Sequence, residues 1–172
     1  IDYLSIMFYF LHFALPLGFG FILWIKKRNY FKHFSTTLLA LSYLGFFTFV
    51  IFPAAPPWLA AKQGYLPGVT KILDIVLQSF PDRLHLPSIY NNFNSNQVAA
   101  VPSLHAAYPL LILFFALKIF GKRAWWFLIY VLGTGFSLVY LGEHYVVDIL
   151  LGALYTIIVF FVVWWYTKKD VY

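Results

Sequence analysis

Five stretches of mostly apolar residues, at 3–25, 34–53, 104–120, 124–142 and 145–167, fill most of this chain, and each is close to the length a helix needs to cross a bilayer. Inside hydrocarbon every backbone N–H and C=O must find a partner within the protein, which leaves only helices and closed barrels. Continuous runs of about 20 apolar residues select helices, since barrel strands read as shorter alternating segments. The expected fold is therefore an all-α integral membrane bundle with five spans. Composition agrees: 62% of residues are hydrophobic and 10% are charged, against roughly 25% charged in a soluble domain. The runs are too closely spaced to leave room for a water-soluble unit, so residues 1–172 read as a single membrane-embedded domain.

The basic residues sort by connection. Lys26, Lys27, Arg28 and Lys32 lie between the first two runs, Lys118, Lys122 and Arg123 between the third and fourth, and Lys168 and Lys169 after the last. Alternating spans put these on one side, the cytoplasmic one by the positive-inside tendency. Lys62, Lys71 and Arg83 are left for the other side, together with the 54–102 loop and the 142–145 turn. Topology thus accounts for the net charge of +6, and no nucleic-acid partner is expected. The absence of cysteine excludes disulfides and thiolate nucleophiles. The chain begins at Ile1, and residues 1–25 are too long and evenly apolar for a signal peptide; an additional span upstream is expected.

The 54–102 loop is polar in an otherwise greasy chain and too long to be a simple spacer. Its clusters Pro53-Ala54-Ala55-Pro56-Pro57-Trp58 and Asn91-Asn92-Phe93-Asn94-Ser95-Asn96-Gln97 form turns and offer hydrogen bonds. Val69, Ile72, Leu73, Val76 and Phe80 recur at helical spacing, which predicts a short interfacial helix.

Chemistry concentrates where the spans meet the outer surface. His144 and Asp148 are four residues apart, so on a helix they share a face. A carboxylate accepting Nδ1–H would fix the imidazole tautomer, leave Nε2 free to attack, and stabilise the positive charge that develops on the ring. His144 is the candidate nucleophile and Asp148 its orienting partner. His105, at the start of the third run, is the candidate acid that protonates a leaving oxygen. Ser103 can cap that helix and leave backbone N–H groups facing an anion. A divalent cation held by Glu143, His144, Asp148 and His105 is the competing reading, but no dense ligand motif such as His-Glu-x-x-His is present, so no metal and no cofactor are expected. His12, His33 and His85 read as interfacial or packed polar residues and stay outside the site.

At these residues the chain resembles the type 2 phosphatidic acid phosphatase superfamily, whose second motif is Pro-Ser-Gly-His and whose third is Ser-Arg, five residues, His, three residues, Asp. Pro102-Ser103-Leu104-His105 matches the second except at Gly, and Ser137, His144 and Asp148 match the third, with Leu138 where Arg is expected. The first motif, Lys and then Arg-Pro after six residues, is absent. In its place stand Pro53-Ala54-Ala55-Pro56-Pro57-Trp58 and the run Ala99-Ala100-Val101-Pro102-Ser103-Leu104-His105-Ala106-Ala107, which resemble the inositol phosphorylceramide synthase-like branch. The resemblance implies metal-independent, two-step phosphoryl or phosphodiester transfer through a phosphohistidine at His144. His105 then matches the proton donor and Asp148 the orienting residue. The missing Arg and Lys residues leave the phosphate clamp to substitutes: Lys62 first, then Arg83, Asn96 and Gln97, with Ser103 adding a hydroxyl.

The expected protein is thus a membrane enzyme with its site on the extracytoplasmic face, acting on a lipid phosphate whose tails stay in the bilayer. An alcohol or inositol acceptor makes it a phosphotransferase; water makes it a plain lipid or polyprenyl phosphate phosphatase. A transporter using His105, His144 and Asp148 as an ion path is a rival of another class. Its weakness is that the polar groups cluster at one surface instead of the bilayer midplane.

Overall fold

The computed structural model describes residues 1–81, 85–93 and 96–167. The helices, in chain order, are α1 (Asp2–Lys26), α2 (Arg28–Ile51), α3 (Pro57–Lys62), α4 (Ile72–Gln78), α5 (Leu86–Phe93), α6 (Leu104–Phe120), α7 (Phe127–Tyr140) and α8 (Val146–Thr167), with a 3-10 turn, Gly121–Trp126, between α6 and α7. Among the described residues the sole β pairing is an isolated parallel bridge between Ala54 and Ala99.

Among the described residues, four helical segments are long and apolar enough to cross a membrane: Asp2–Lys26, Arg28–Ile51, Leu104–Tyr140 and Val146–Thr167. Five runs were expected, and the difference is local. The third segment has 37 residues, well beyond the roughly 20 a span requires. His105 near its start lies 3.2 Å from His144 just past its end, so the segment doubles back. The reversal falls in the 3-10 turn, where Gly121 adopts φ 64°, a left-handed conformation that glycine takes without a Cβ clash. The segment thereby supplies two antiparallel legs, α6 and α7, and α7 with 14 residues falls short of a span by itself. The basic connection between α1 and α2 also shrinks to one non-helical residue, Lys27. Its cations occupy helix ends.

The bundle is held by shape more than by apolarity, because lipid tails compete equally well for apolar side chains. Phe34 packs edge-on against Phe19 and Phe115, and Phe160 against Phe115. Glycines let helices close in: Leu104 fills the space a side chain at Gly45 would take, and Phe8 does the same at Gly133. Polar ties are interhelical, with Ser42 to Tyr108 at 2.9 Å, Thr48 to Tyr155 at 3.1 Å and Thr156 to the Ala107 carbonyl at 3.2 Å. Large apolar residues such as Leu17, Phe47, Ile51, Phe136 and Trp165 are exposed while Thr37, Thr134 and Thr156 are buried. This inverted arrangement is that of an integral membrane protein.

Among its described residues the long loop forms three short helices, α3, α4 and α5, where one was expected. The expected one corresponds to α4. Its Leu73, Val76 and Leu77 are buried with Ile6, Tyr9, Leu138 and Leu141, so the loop is packed onto one end of the bundle. Lys26, Arg28, Lys122 and Arg123 lie at the other end, roughly 25 Å away along the 17 residues of α6. Lys168 and Lys169 lie outside the described residues.

Candidate active site

His144 is placed by the way α7 stops. The Gly142 N–H bonds the Val139 carbonyl at 3.1 Å and the Glu143 N–H bonds the Leu138 carbonyl at 3.0 Å, the paired bonds of a Schellman ending. Gly142 takes φ 76°, and a Cβ there would meet the Thr70 carbonyl oxygen at 3.0 Å. Only glycine fits that approach. The chain then turns straight into α8, whose first turn carries Asp148. Asp148 Oδ2 accepts the Tyr145 N–H at 2.8 Å, a side chain reaching back to the helix start. The same oxygen faces His144 Nδ1 at 3.4 Å. Asp148 is fully buried, and among the described residues its Oδ1 has no hydrogen-bond partner. The residue sits in the first turn of α8.

His105 arrives from α6. Ser103 caps that helix, its Oγ accepting the Ala106 N–H at 3.3 Å, while its own N–H donates to the Asp148 carbonyl at 3.0 Å. This backbone clasp between α6 and α8 requires Gly152, because a Cβ there would collide with the Ser103 carbonyl. His105 Nδ1 and His144 Nε2 are 3.2 Å apart. A neutral His144 donating Nδ1–H to Asp148 accepts at Nε2, so His105 donates from Nδ1. The two rings converge, as the spacing predicts, but in direct contact: a phosphate would have to displace this hydrogen bond.

A second wall of the pocket comes from α1 and the loop, and sequence reasoning missed most of it. Tyr9 stacks on His105 with ring centroids 5.1 Å apart and 22° between planes. His12 is buried, its Nδ1 bonded to the Tyr9 carbonyl, and its ring stands 4.0 Å from that of His105. Glu143 is buried, accepts from the Tyr90 hydroxyl at 3.4 Å, and lines the pocket with Trp58. The Tyr90 and Tyr9 hydroxyls are 3.4 Å apart. Burial pushes the Glu143 carboxyl up to about 7, with the Asp74 charge acting in the same direction and Lys71 opposing. Lys71 Nζ pairs with Asp74 at 3.0 Å and lies over the Trp58 and Tyr90 rings, 4.4 and 4.8 Å from their centroids.

The residues expected to replace the clamp fare differently. Asn96 and Gln97 line the pocket beside His105 and His144, and Asn96 Oδ1 also accepts the Val98 N–H at 3.2 Å. Ser103 is fully buried as a cap. Lys62 is exposed at the end of α3 and outside the pocket lining. Arg83 lies outside the described residues. The Pro-rich segment frames the site: Pro56 lines it, the Trp58 N–H bonds the Gly142 carbonyl at 3.0 Å, and Ala54 pairs with Val98 and Ala100. Leu138, at the position of the expected Arg, is buried in the apolar cluster under α4.

The family model described as the PAP2 superfamily matches residues 1–162. The chain belongs to this superfamily. It is 33% identical over 159 residues to the phosphoinositol dihydroceramide synthase of Bacteroides thetaiotaomicron, covering 88% of this chain and 52% of that protein. It is 29% identical over 160 residues to the inositol phosphorylceramide synthase catalytic subunit aur1 of Schizosaccharomyces pombe, covering 87% and 37%. With the inositol phosphorylceramide synthase of Candida albicans it shares 26% over 160 residues, covering 87% and 33%. The chain thus spans about half the length of the first of these relatives and about a third of the other two. No solved structure matches it. Membership makes the contact between His105 and His144 the feature to explain, since two superfamily motifs meet there.

Proposed function

We propose that this chain is a lipid phosphotransferase core that works through a phosphohistidine on His144. The reading rests on one observation, the His105–His144 contact at 3.2 Å with Asp148 behind His144. Substrate phosphate enters between the rings. His144 Nε2 attacks phosphorus, the P–O bond to the lipid alcohol breaks, and the leaving oxygen takes a proton from His105. An acceptor hydroxyl then passes its proton to His105 and attacks phosphorus, and the P–N bond breaks. Asp148 fixes the tautomer and stabilises the imidazolium-like charge in both steps. The α6 N-terminus, Asn96 and Gln97 supply hydrogen bonds to the phosphate.

The names of the relatives suggest phosphoinositol as the transferred group and a ceramide-type hydroxyl as acceptor. The site opens on the end of the bundle opposite the basic helix ends, which by the positive-inside tendency is the extracytoplasmic face. Rapid quench of the purified chain with phosphatidylinositol, followed by mass spectrometry of the His144 peptide, tests this. A phosphoinositol adduct is expected. A bare phosphate adduct formed only from monoester lipids, with free phosphate as product, would make the protein a phosphatase. An unmodified His144 during turnover would end the proposal.

A further inference from the structure

We infer that the pocket wall formed by Glu143, Trp58, Asn96 and Gln97 is a headgroup subsite that takes a neutral polyhydroxyl alcohol and that Lys71 bars cationic headgroups from it. The inference rests on the phosphotransferase reading; it assigns a job to Glu143 and Trp58, which the phosphoryl-transfer steps leave unused, and a second one to Asn96 and Gln97 beside the phosphate. Glu143 is 6% exposed, yet it lines the cavity that holds His105 and His144. A carboxyl buried beside a reacting phosphate is costly, and it repels the substrate's phosphate unless it serves something else. Vicinal hydroxyls are a natural use: a carboxylate accepts two of them, and the Asn96 and Gln97 amides both donate and accept. Among the described residues the buried Trp58 Nε1 finds no partner at ordinary hydrogen-bond geometry, although it lies near enough to Glu143 to favour the charged form. Its N–H thereby supports the carboxylate that would receive the hydroxyls.

The same wall contains what a choline-type ligand would want, aromatic faces beside a carboxylate. One face of Trp58 and one of the neighbouring Tyr90 are already taken. Lys71 Nζ lies 4.4 Å from the Trp58 centroid and 4.8 Å from that of Tyr90. A quaternary ammonium would have to displace a tethered ammonium, itself held by Asp74 at 3.0 Å, and would meet its charge. A neutral polyol meets no such opposition.

The test uses the full chain in liposomes with phosphatidylinositol, phosphatidylcholine or phosphatidic acid as donor, the last having no alcohol headgroup. The expected result is a preference for the inositol lipid over the choline lipid of about tenfold or more in kcat/KM, from hydrogen bonds to a charged group. Glu143→Gln should lower the ratio of inositol lipid to phosphatidic acid by about tenfold, and Lys71→Met should raise use of the choline lipid relative to the inositol lipid. Calorimetric titration of the unmodified protein with glycerophosphoinositol and glycerophosphocholine reads the same preference without any variant. Equal binding of the two compounds, or a Glu143→Gln ratio equal to that of the parent, overturns the subsite. Should His144 be loaded by all three lipids alike, only the subsite fails; should none load it, the phosphohistidine reading fails as well.

Discussion

On one side of the pocket, His105, His144 and Asp148 hang from a backbone clasp: Ser103 N–H to the Asp148 carbonyl, Ser103 as cap of α6, and Gly152 letting the two helices touch. On the other, Tyr9, His12, Tyr90 and Glu143 are assembled by ring packing and long hydrogen bonds from α1, α5 and the turn after α7. The first wall is rigid because its side chains sit within a residue or two of backbone-to-backbone bonds. The second depends on side chains from elements far apart in sequence, Tyr9 and Tyr90 being 81 residues apart. Rigid placement suits a nucleophile and its acid, which need alignment to a fraction of an ångström. A wall of packed rings suits recognition, where one substitution changes preference before it destroys the fold.

The comparison breaks most sharply at the clasp side. His144→Ala is expected to lower turnover at least a hundredfold and to abolish trapping of radiolabelled phosphate on the purified protein. A variant retaining both would mean that the chemistry runs elsewhere. Gly152→Val comes next. Its side chain would enter the Ser103 carbonyl, a backbone atom that cannot swing aside, so a loss of about 3 kcal/mol or more is expected. A thermal melt in detergent read by size exclusion checks it. An unchanged melting point would show that the clasp is not what fixes His105 against Asp148.

The clasp side was legible in the sequence because its information is local. The four-residue step from His144 to Asp148, the Ser103 cap and the order of the motifs all follow from helix geometry, and the structure brings those residues together. The apolar runs gave the bundle and the break after residue 120 for the same reason, while the 3-10 form of that turn and the short α7 needed the folded chain. The second wall was not legible. His12 lies in a continuous apolar run, where a buried histidine and a site histidine look the same, and nothing in its spacing points to His105. Lys71 was one of three cations on the outer side, with no local pattern to favour it over Lys62. Its position over Trp58 and Tyr90 arises from how the loop helices pack on the bundle.

A pH series probes the second wall through Glu143. Its carboxyl sits at about 7 when folded, against an ordinary value of 4.5. The folded protein therefore holds that proton more tightly than the unfolded chain. The contribution is greatest below about 4.5 and is lost as the pH rises through about 7. The change is on the order of 2 kcal/mol once residual solvent access is discounted. Melting points measured from pH 5 to 8 should fall, and Glu143→Gln should flatten that part of the profile. A parent profile that Glu143→Gln leaves unaltered would mean that the carboxyl is not buried as described.

The smallest effect should come from His12, and it decides whether the second wall touches the chemistry. The ring is anchored by Nδ1 on the Tyr9 carbonyl and stands at a steep angle to His105, on which Tyr9 also stacks. His105 therefore touches two rings of α1, which together can hold its Nδ1 on His144. His12→Phe keeps an aromatic ring but loses the anchor, whereas His12→Gln keeps a polar group but loses the ring. If His12 positions His105, both variants should lower kcat by about tenfold, the range for a displaced acid-base group, with KM nearly unchanged. If His12 only fills space, His12→Phe should match the parent. The pH profile of kcat separates the cases further: a positioning ring alters the alkaline limb, where the acid His105 loses its proton, and a filler leaves it where it was.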